Sequence, residues 1–453
     1  MNATRGSGSD PLTVGRRQAL KIVAGTGLAA AGGLAAAPLT ARAQAPTTLS
    51  LWTGYPELTP YYEAVAEAYK AAHPGVSVTV FSTSLREAEQ KLSAAVPTGT
   101  GPDIFDIGTN ITVNFIEAGL VEPNDPAIDQ YLRSKAWSPL LADFFSAGGK
   151  SYGLPLLVST AALYYNKTML KEAGLAQPPA TFPELVDAAR KMTKLDGSGR
   201  MTRSGLSLRL SGQGSGIAEK FRFVLEPAGG SLIVKTPSGK WHNGFDNEAG
   251  RAALQFYVDS VQKDKIDDPR IPHDAAAFES GTTAMLFREA WVIGEIQQKN
   301  PSLDYGVVPI PSWRTGEPHK MLLQPWGIYV NGKSGNQPAA WEFLRFLTSA
   351  ENAFRLTSMT GWVSARQDVS WQPLLQTAPQ FAVFVQPPKD VTYYVEPILP
   401  VWDEIESKMA DRLTSAYVDP SLNGNPEKVA QTIHDMAAET DGLLKEADLY
   451  GTT

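Results

Sequence analysis

Gly101–Asn124, GPDIFDIGTNITVNFIEAGLVEPN, is the stretch whose reading decides the fold. Ile104-Phe105-Asp106-Ile107 is a short apolar run introduced by Gly-Pro, which predicts a buried strand. Gly108-Thr109-Asn110 turns the chain. Ile111, Phe115 and Ala118 then recur at helical spacing, and Gly119 is placed to stop that helix with Leu120 covering its end. Strand, polar corner and helix make half of a βαβ unit. In open α/β sheets ligands bind at such corners, beyond the carboxyl ends of the strands. Thr109 and Asn110 are therefore the first candidate ligand contacts.

The chain before this stretch repeats the pattern. Thr48–Trp52 reads as a strand, Gly54-Tyr55-Pro56 as a turn, and Leu58–Ala72 as a helix closed by His73-Pro74-Gly75. Val76–Val80 alternates like a second strand, and Leu85–Ala95 is helical. This order predicts an α/β protein with a mostly parallel, doubly wound sheet. Further on, strands are expected at Thr282–Phe287, Gly306–Pro309 and Trp326–Val330, with a largely helical tail from Val401.

At 453 residues the chain exceeds one ordinary core and points to two lobes. With 43% hydrophobic and 19% charged residues it is neither disordered nor membrane-embedded in composition. It has no cysteine, which excludes disulfides, thiolate metal sites and a cysteine nucleophile. The five histidines show no ligand spacing, so neither a metal nor another cofactor is expected.

Arg16-Arg17 precedes an uncharged Ala/Gly-rich run from Ile22 to Ala41, and Ala41-Arg42-Ala43 fits a small-x-small cleavage site. Residues 1–43 thus look like a cleaved twin-arginine export signal, although Ala19 stands where that signal usually carries Phe. Removing its five basic and one acidic residues leaves 35 basic and 46 acidic, a net of −11. Such a surface argues against nucleic acid and anionic lipid as partners.

Gly327-Ile-Tyr-Val-Asn-Gly332-Lys333-Ser334 matches the phosphate-loop pattern by letter. Its Ile-Tyr-Val centre is β-type, while Gly335 and Pro338 delay any helix, so no phosphate cradle is expected. No Gly-x-Ser-x-Gly elbow is present either. The aromatics are more informative. Trp52 ends the first strand, Trp291 begins the helix after Thr282–Phe287, and Trp326 opens a strand. An indole offers a flat face for the C–H-rich side of a sugar ring, whose hydroxyls then ask for polar side chains.

Gly101-Pro102-Asp103-Ile104-Phe105 with Glu117-Ala118-Gly119-Leu120-Val121-Glu122-Pro123 resembles the first-lobe signature of the extracellular solute-binding proteins that serve ABC importers, in the family of maltose- and oligosaccharide-binding proteins. Tyr152-Gly153-Leu154-Pro155 with Tyr164-Tyr165-Asn166-Lys167, then Phe278–Met285 followed by Trp291, then Ala340–Leu344 and Gly361–Arg366, are similar to that family's later blocks in the same order. The resemblance implies two lobes closing on a solute, no catalysis, and a monomer in the periplasm that docks on membrane permease subunits. It implies a first lobe from 44–150 plus 325–388 and a second from 151–324 plus 389–453. It also implies stacking by Trp291 and Trp402, polar contacts from Trp52, Tyr55 and Glu57, and a contact at Ser159. Asn110 stands where some relatives carry Asp. Two alternatives remain open: an anionic solute such as a phosphodiester held by Arg288 and Arg366, and a glycoside hydrolase with paired carboxylates.

Overall fold

Ile104–Asp106 is a wholly buried strand, and its neighbours explain why three residues suffice. The computed structural model describes residues 46–210 and 215–453. Thr47–Thr53 lies parallel to both Val76–Ser82 and Ile104–Asp106, so the N-terminal third is the expected parallel unit. Thr109–Glu117 is the helix that follows. Gly119, at φ +67°, ends it, and the Leu120 N–H bonds back to the Phe115 carbonyl at 2.8 Å.

The sheet is less parallel than predicted. His319–Val330 runs antiparallel to Ile104–Asp106 on one side and to Leu154–Ser159 on the other. Its earlier half, His319–Leu323, pairs in parallel with Val391–Val395. A strand returning from a distant part of the chain needs no crossover helix, so it can enter the sheet in reverse. The resulting seven-stranded sheet runs from Val363–Ser364 at one edge to Val76–Ser82 at the other.

A second sheet has three antiparallel strands, Met285–Glu289, Ala161–Asn166 and Tyr305–Val308. Side chains alternate across it, as strand geometry demands. Ala161, Leu163, Met285 and Phe287 face one core that also holds Phe221, Tyr257 and Trp402. Ala162, Tyr164 and Leu286 face another that holds Phe278, Trp371 and Phe384. The first sheet has its own core around Leu51, Tyr62, Phe105, Tyr329 and Phe343. Two sheets with separate cores make a two-lobed architecture.

Two segments depart from the expected lobe boundaries. Leu154–Ser159, expected in the second lobe, is part of the seven-stranded sheet, because its apolar side chains fill the first core. Trp371, Leu374, Phe381 and Phe384, expected in the first, pack beneath the three-stranded sheet. Gly327–Val330 is strand, and no helix begins before Gln337, so the phosphate-loop look-alike is structural. Residues 1–43, read as an export signal, lie outside the described residues. Among those described, no helix is long and apolar enough to cross a membrane.

Candidate functional site

The first corner is held from behind by Asp106. Its carboxylate accepts the Gly54 N–H at 3.2 Å and the Tyr62 hydroxyl. The Tyr55 N–H in turn donates to Thr53 Oγ1 at 3.0 Å. Burial pushes the Asp106 carboxyl up to about 7, against the hydrogen bonds from Tyr62, Thr53 and Gly54. A Cβ on Gly54 would stand 3.0 Å from Leu85 Cδ1, so the corner lies close against the helix Leu85–Thr98.

Tyr55 leaves this corner and meets Trp326 at 4.5 Å between ring centroids. Trp326 lies 5.7 Å from Trp362, and Trp362 lies 6.3 Å from Trp291. Each ring comes from a different element: the first corner, the long strand, the turn after the helix Ala350–Thr360, and the start of the helix Trp291–Lys299. Gly361 makes the third placement possible. Its φ is +79°, and a Cβ there would sit 3.1 Å from the Trp291 backbone.

Two cavities flank this aromatic row. One of about 570 Å³ is lined by Tyr55, Glu57, Trp291, Trp326, Thr360 and Trp362 among others. The other, about 290 Å³, shares Tyr55 and Trp326 and adds Ile111, Phe144, Glu89 and Glu219. Tyr55 Oη and Trp362 Nε1 are both buried without a hydrogen-bond partner. Beside a cavity, a ligand or a water can supply the missing partner.

Beneath Trp291 the charges interlock. Its Nε1 donates to Glu289 at 3.2 Å, and the Arg288 guanidinium lies 4.7 Å from its ring centroid. Lys220 Nζ meets Glu289 at 2.8 Å, and Arg288 meets Glu289 at 3.3 Å and Asp274 at 3.1 Å. Burial opposes ionisation of Glu289, but Arg288 and Lys220 overcome it and hold its carboxyl well below the usual range.

Tyr55, Glu57, Trp291 and Trp326 therefore come together, with Arg288 directly behind. Trp52, Ser159, Arg366 and Trp402 do not line either cavity. Trp52 packs on Phe81 at 5.3 Å. Ser159 is buried opposite Gln324 in the sheet. Arg366 is bonded to Asp368, Tyr131 Oη and the Thr348 carbonyl, within the first lobe. Trp402 is 1% exposed, under the Arg222 guanidinium at 4.9 Å. Thr109 and Asn110, read as part of the turn, instead begin the helix by their backbone, next to the cavity residues Gly108 and Ile111; their side chains lie outside the described part of the structure. Trp362, Glu219, Glu396 and Glu406 also line these cavities, and the sequence did not single them out. The signal for Glu219 was available: Glu219, Lys220, Arg222 and Glu226 interrupt the otherwise apolar helix Gly216–Ala228.

A two-lobed fold with an aromatic cavity fed by corners from both lobes suits the capture of a solute between them. Residues 55–354 match the family model "Bacterial extracellular solute-binding protein", and the chain belongs to that family. A binding protein of Brucella abortus (strain 2308) is 25% identical over 395 residues, covering 85% of this chain and 90% of that protein. A maltotriose-binding protein of Pyrococcus abyssi is 26% identical over 332 residues, 72% of this chain and 68% of that one. Among solved structures, the cyclic α-maltosyl-1,6-maltose binding protein of Arthrobacter globiformis superimposes with a TM-score of 0.72 at 21% identity, over 88% of this chain and all of the other. That match establishes the fold.

Proposed function

We propose that this chain is the substrate-binding component of a carbohydrate ABC importer. It captures a saccharide between its lobes and delivers it to membrane permease subunits, without chemical change. The observation that carries the reading is the row Tyr55–Trp326–Trp362–Trp291, with the unpartnered Tyr55 Oη and Trp362 Nε1 set into it. Indole faces stack on sugar C–H surfaces, and water exclusion on closure strengthens each polar contact. Relatives named for maltotriose and for arabinooligosaccharide support the same ligand class. The lobes that close are those built on the seven-stranded and three-stranded sheets, with Leu154–Ser159 in the first and Trp371–Val385 in the second. Residues 1–43 serve as a twin-arginine signal, and the mature chain works as a periplasmic monomer.

The anionic alternative loses support because Arg288 and Arg366 are both already paired with carboxylates. Thermal unfolding in a saccharide panel tests the proposal. One or more oligosaccharides should raise Tm in a concentration-dependent way, with no product formed. A panel with no shift, or turnover of a chromogenic glycoside by the pure protein, contradicts it.

A further inference from the structure

The cations around the 290 Å³ cavity are each shared by two carboxylates. Arg86 lies 2.8 Å from Glu89 and 3.6 Å from Asp403. Lys220 lies 2.8 Å from Glu289 and 3.5 Å from Glu219. Arg222 lies 2.8 Å from Glu396 and 3.2 Å from Glu406. Of these nine residues the cavity wall itself holds five acids and only Arg86 as a base. Arg288 meets Glu289 and Asp274, and Arg209 also meets Asp274 at 3.4 Å, so five cations face seven carboxylates in this cluster.

The shortage of positive charge is partly buried, with the Glu219 side chain 25% exposed. The Glu406 and Glu396 side chains are 6% and 11% exposed, and Arg222 is 2% exposed. Buried carboxylates without full compensation are costly, so they either bind a proton or await a cation. Burial raises the carboxyls of both Glu219 and Glu406 above their ordinary value. A metal ion is a poor candidate, because among the described residues no three acids or histidines gather closely enough to hold one. Tyr55 adds an independent pointer. It lines the same cavity, is 7% exposed, and its Oη has no partner, leaving an acceptor for a polyvalent donor. An ammonium group brings three N–H donors and a charge, and the Tyr55 and Trp326 rings suit a cation as well. A sugar hydroxyl can donate to one carboxylate but supplies no charge.

We propose that the saccharide carries a free, protonated amine, an amino sugar rather than a neutral or N-acetylated one, and that the Glu219 side of the cavity receives its ammonium group. This rests on the carbohydrate reading above. Calorimetry at about pH 7 compares glucosamine and galactosamine oligomers with their N-acetyl and hydroxyl counterparts of equal length and linkage. The expected result is a free-amine member binding at least about tenfold more tightly than its counterparts. That preference should weaken as salt rises from about 0.05 to 0.5 M and collapse in Glu219→Gln. If the tightest ligand is neutral or N-acetylated, or if Glu219→Gln keeps the amine preference, the proposal is wrong and the carbohydrate reading stands. If no saccharide of any kind binds, both fall.

Discussion

Replacing Asp106 by Asn isolates the group that anchors the first binding corner. Asp106 is 2% exposed, and its carboxyl is raised from 3.8 to about 7 by burial. In the unfolded chain it titrates near 4, so between about pH 4 and 7 the folded protein holds a proton that the unfolded one has lost. The stability it contributes is therefore full below about pH 4 and lost as pH rises through 7. About three pH units at roughly 1.4 kcal/mol each give on the order of 4 kcal/mol. Asn does not titrate, and its amide can still accept from Gly54 and donate toward the Tyr62 oxygen. Urea unfolding of both proteins from about pH 4.5 to 8 gives the difference in stability at each pH, which removes the contribution of other titrating groups such as Asp267, also raised to about 7. Wild type should lose several kcal/mol relative to Asp106→Asn across that range. A difference that stays flat within about 1 kcal/mol refutes the buried, protonated Asp106 and with it this account of how Tyr55 is held.

Trp291→Ala and Trp326→Ala should each weaken saccharide binding about tenfold by titration calorimetry, while Arg366→Ala, outside the cavities, changes affinity less than about twofold. Arg222→Met should cost about 3–5 kcal/mol in urea unfolding, because it leaves the buried Glu396 and Glu406 without their shared cation; a loss below about 1 kcal/mol would show the cluster compensates itself. Gly361→Ala should lower Tm and weaken binding together, since a Cβ at φ +79° costs about 1–2 kcal/mol and presses on the Trp291 backbone.

The parts of this fold that were readable are those governed by local rules. Ile104–Asp106 announced itself as a buried strand, and Gly119 marked the end of the next helix. His319–Val330 was legible only from Trp326 onward, because Gln324-Pro325 looks like a break and Val391–Val395, its parallel partner, lies about seventy residues away. Pairing over that distance leaves no local trace. The site behaved the same way. Tyr55, Trp291 and Trp326 were visible as aromatics at element ends, where corners open on a cleft. Trp402 sits at an element end too, but Arg222 from another helix covers its ring, and it lines a separate cavity of about 380 Å³. Arg366 carried a readable warning in Asp368 two residues on, its eventual ion-pair partner. Trp362 lies within the Gly361–Arg366 motif, but only the turn at Gly361 swings it between Trp326 and Trp291.

The most direct measurement is a crystal structure of the protein with the saccharide that gives the largest rise in Tm. The account predicts electron density for sugar rings against Trp291, Trp326 and Trp362, with a hydrogen bond to Tyr55 Oη. Density elsewhere, or a ligand bound with the aromatic cavity still filled by water alone, would contradict it.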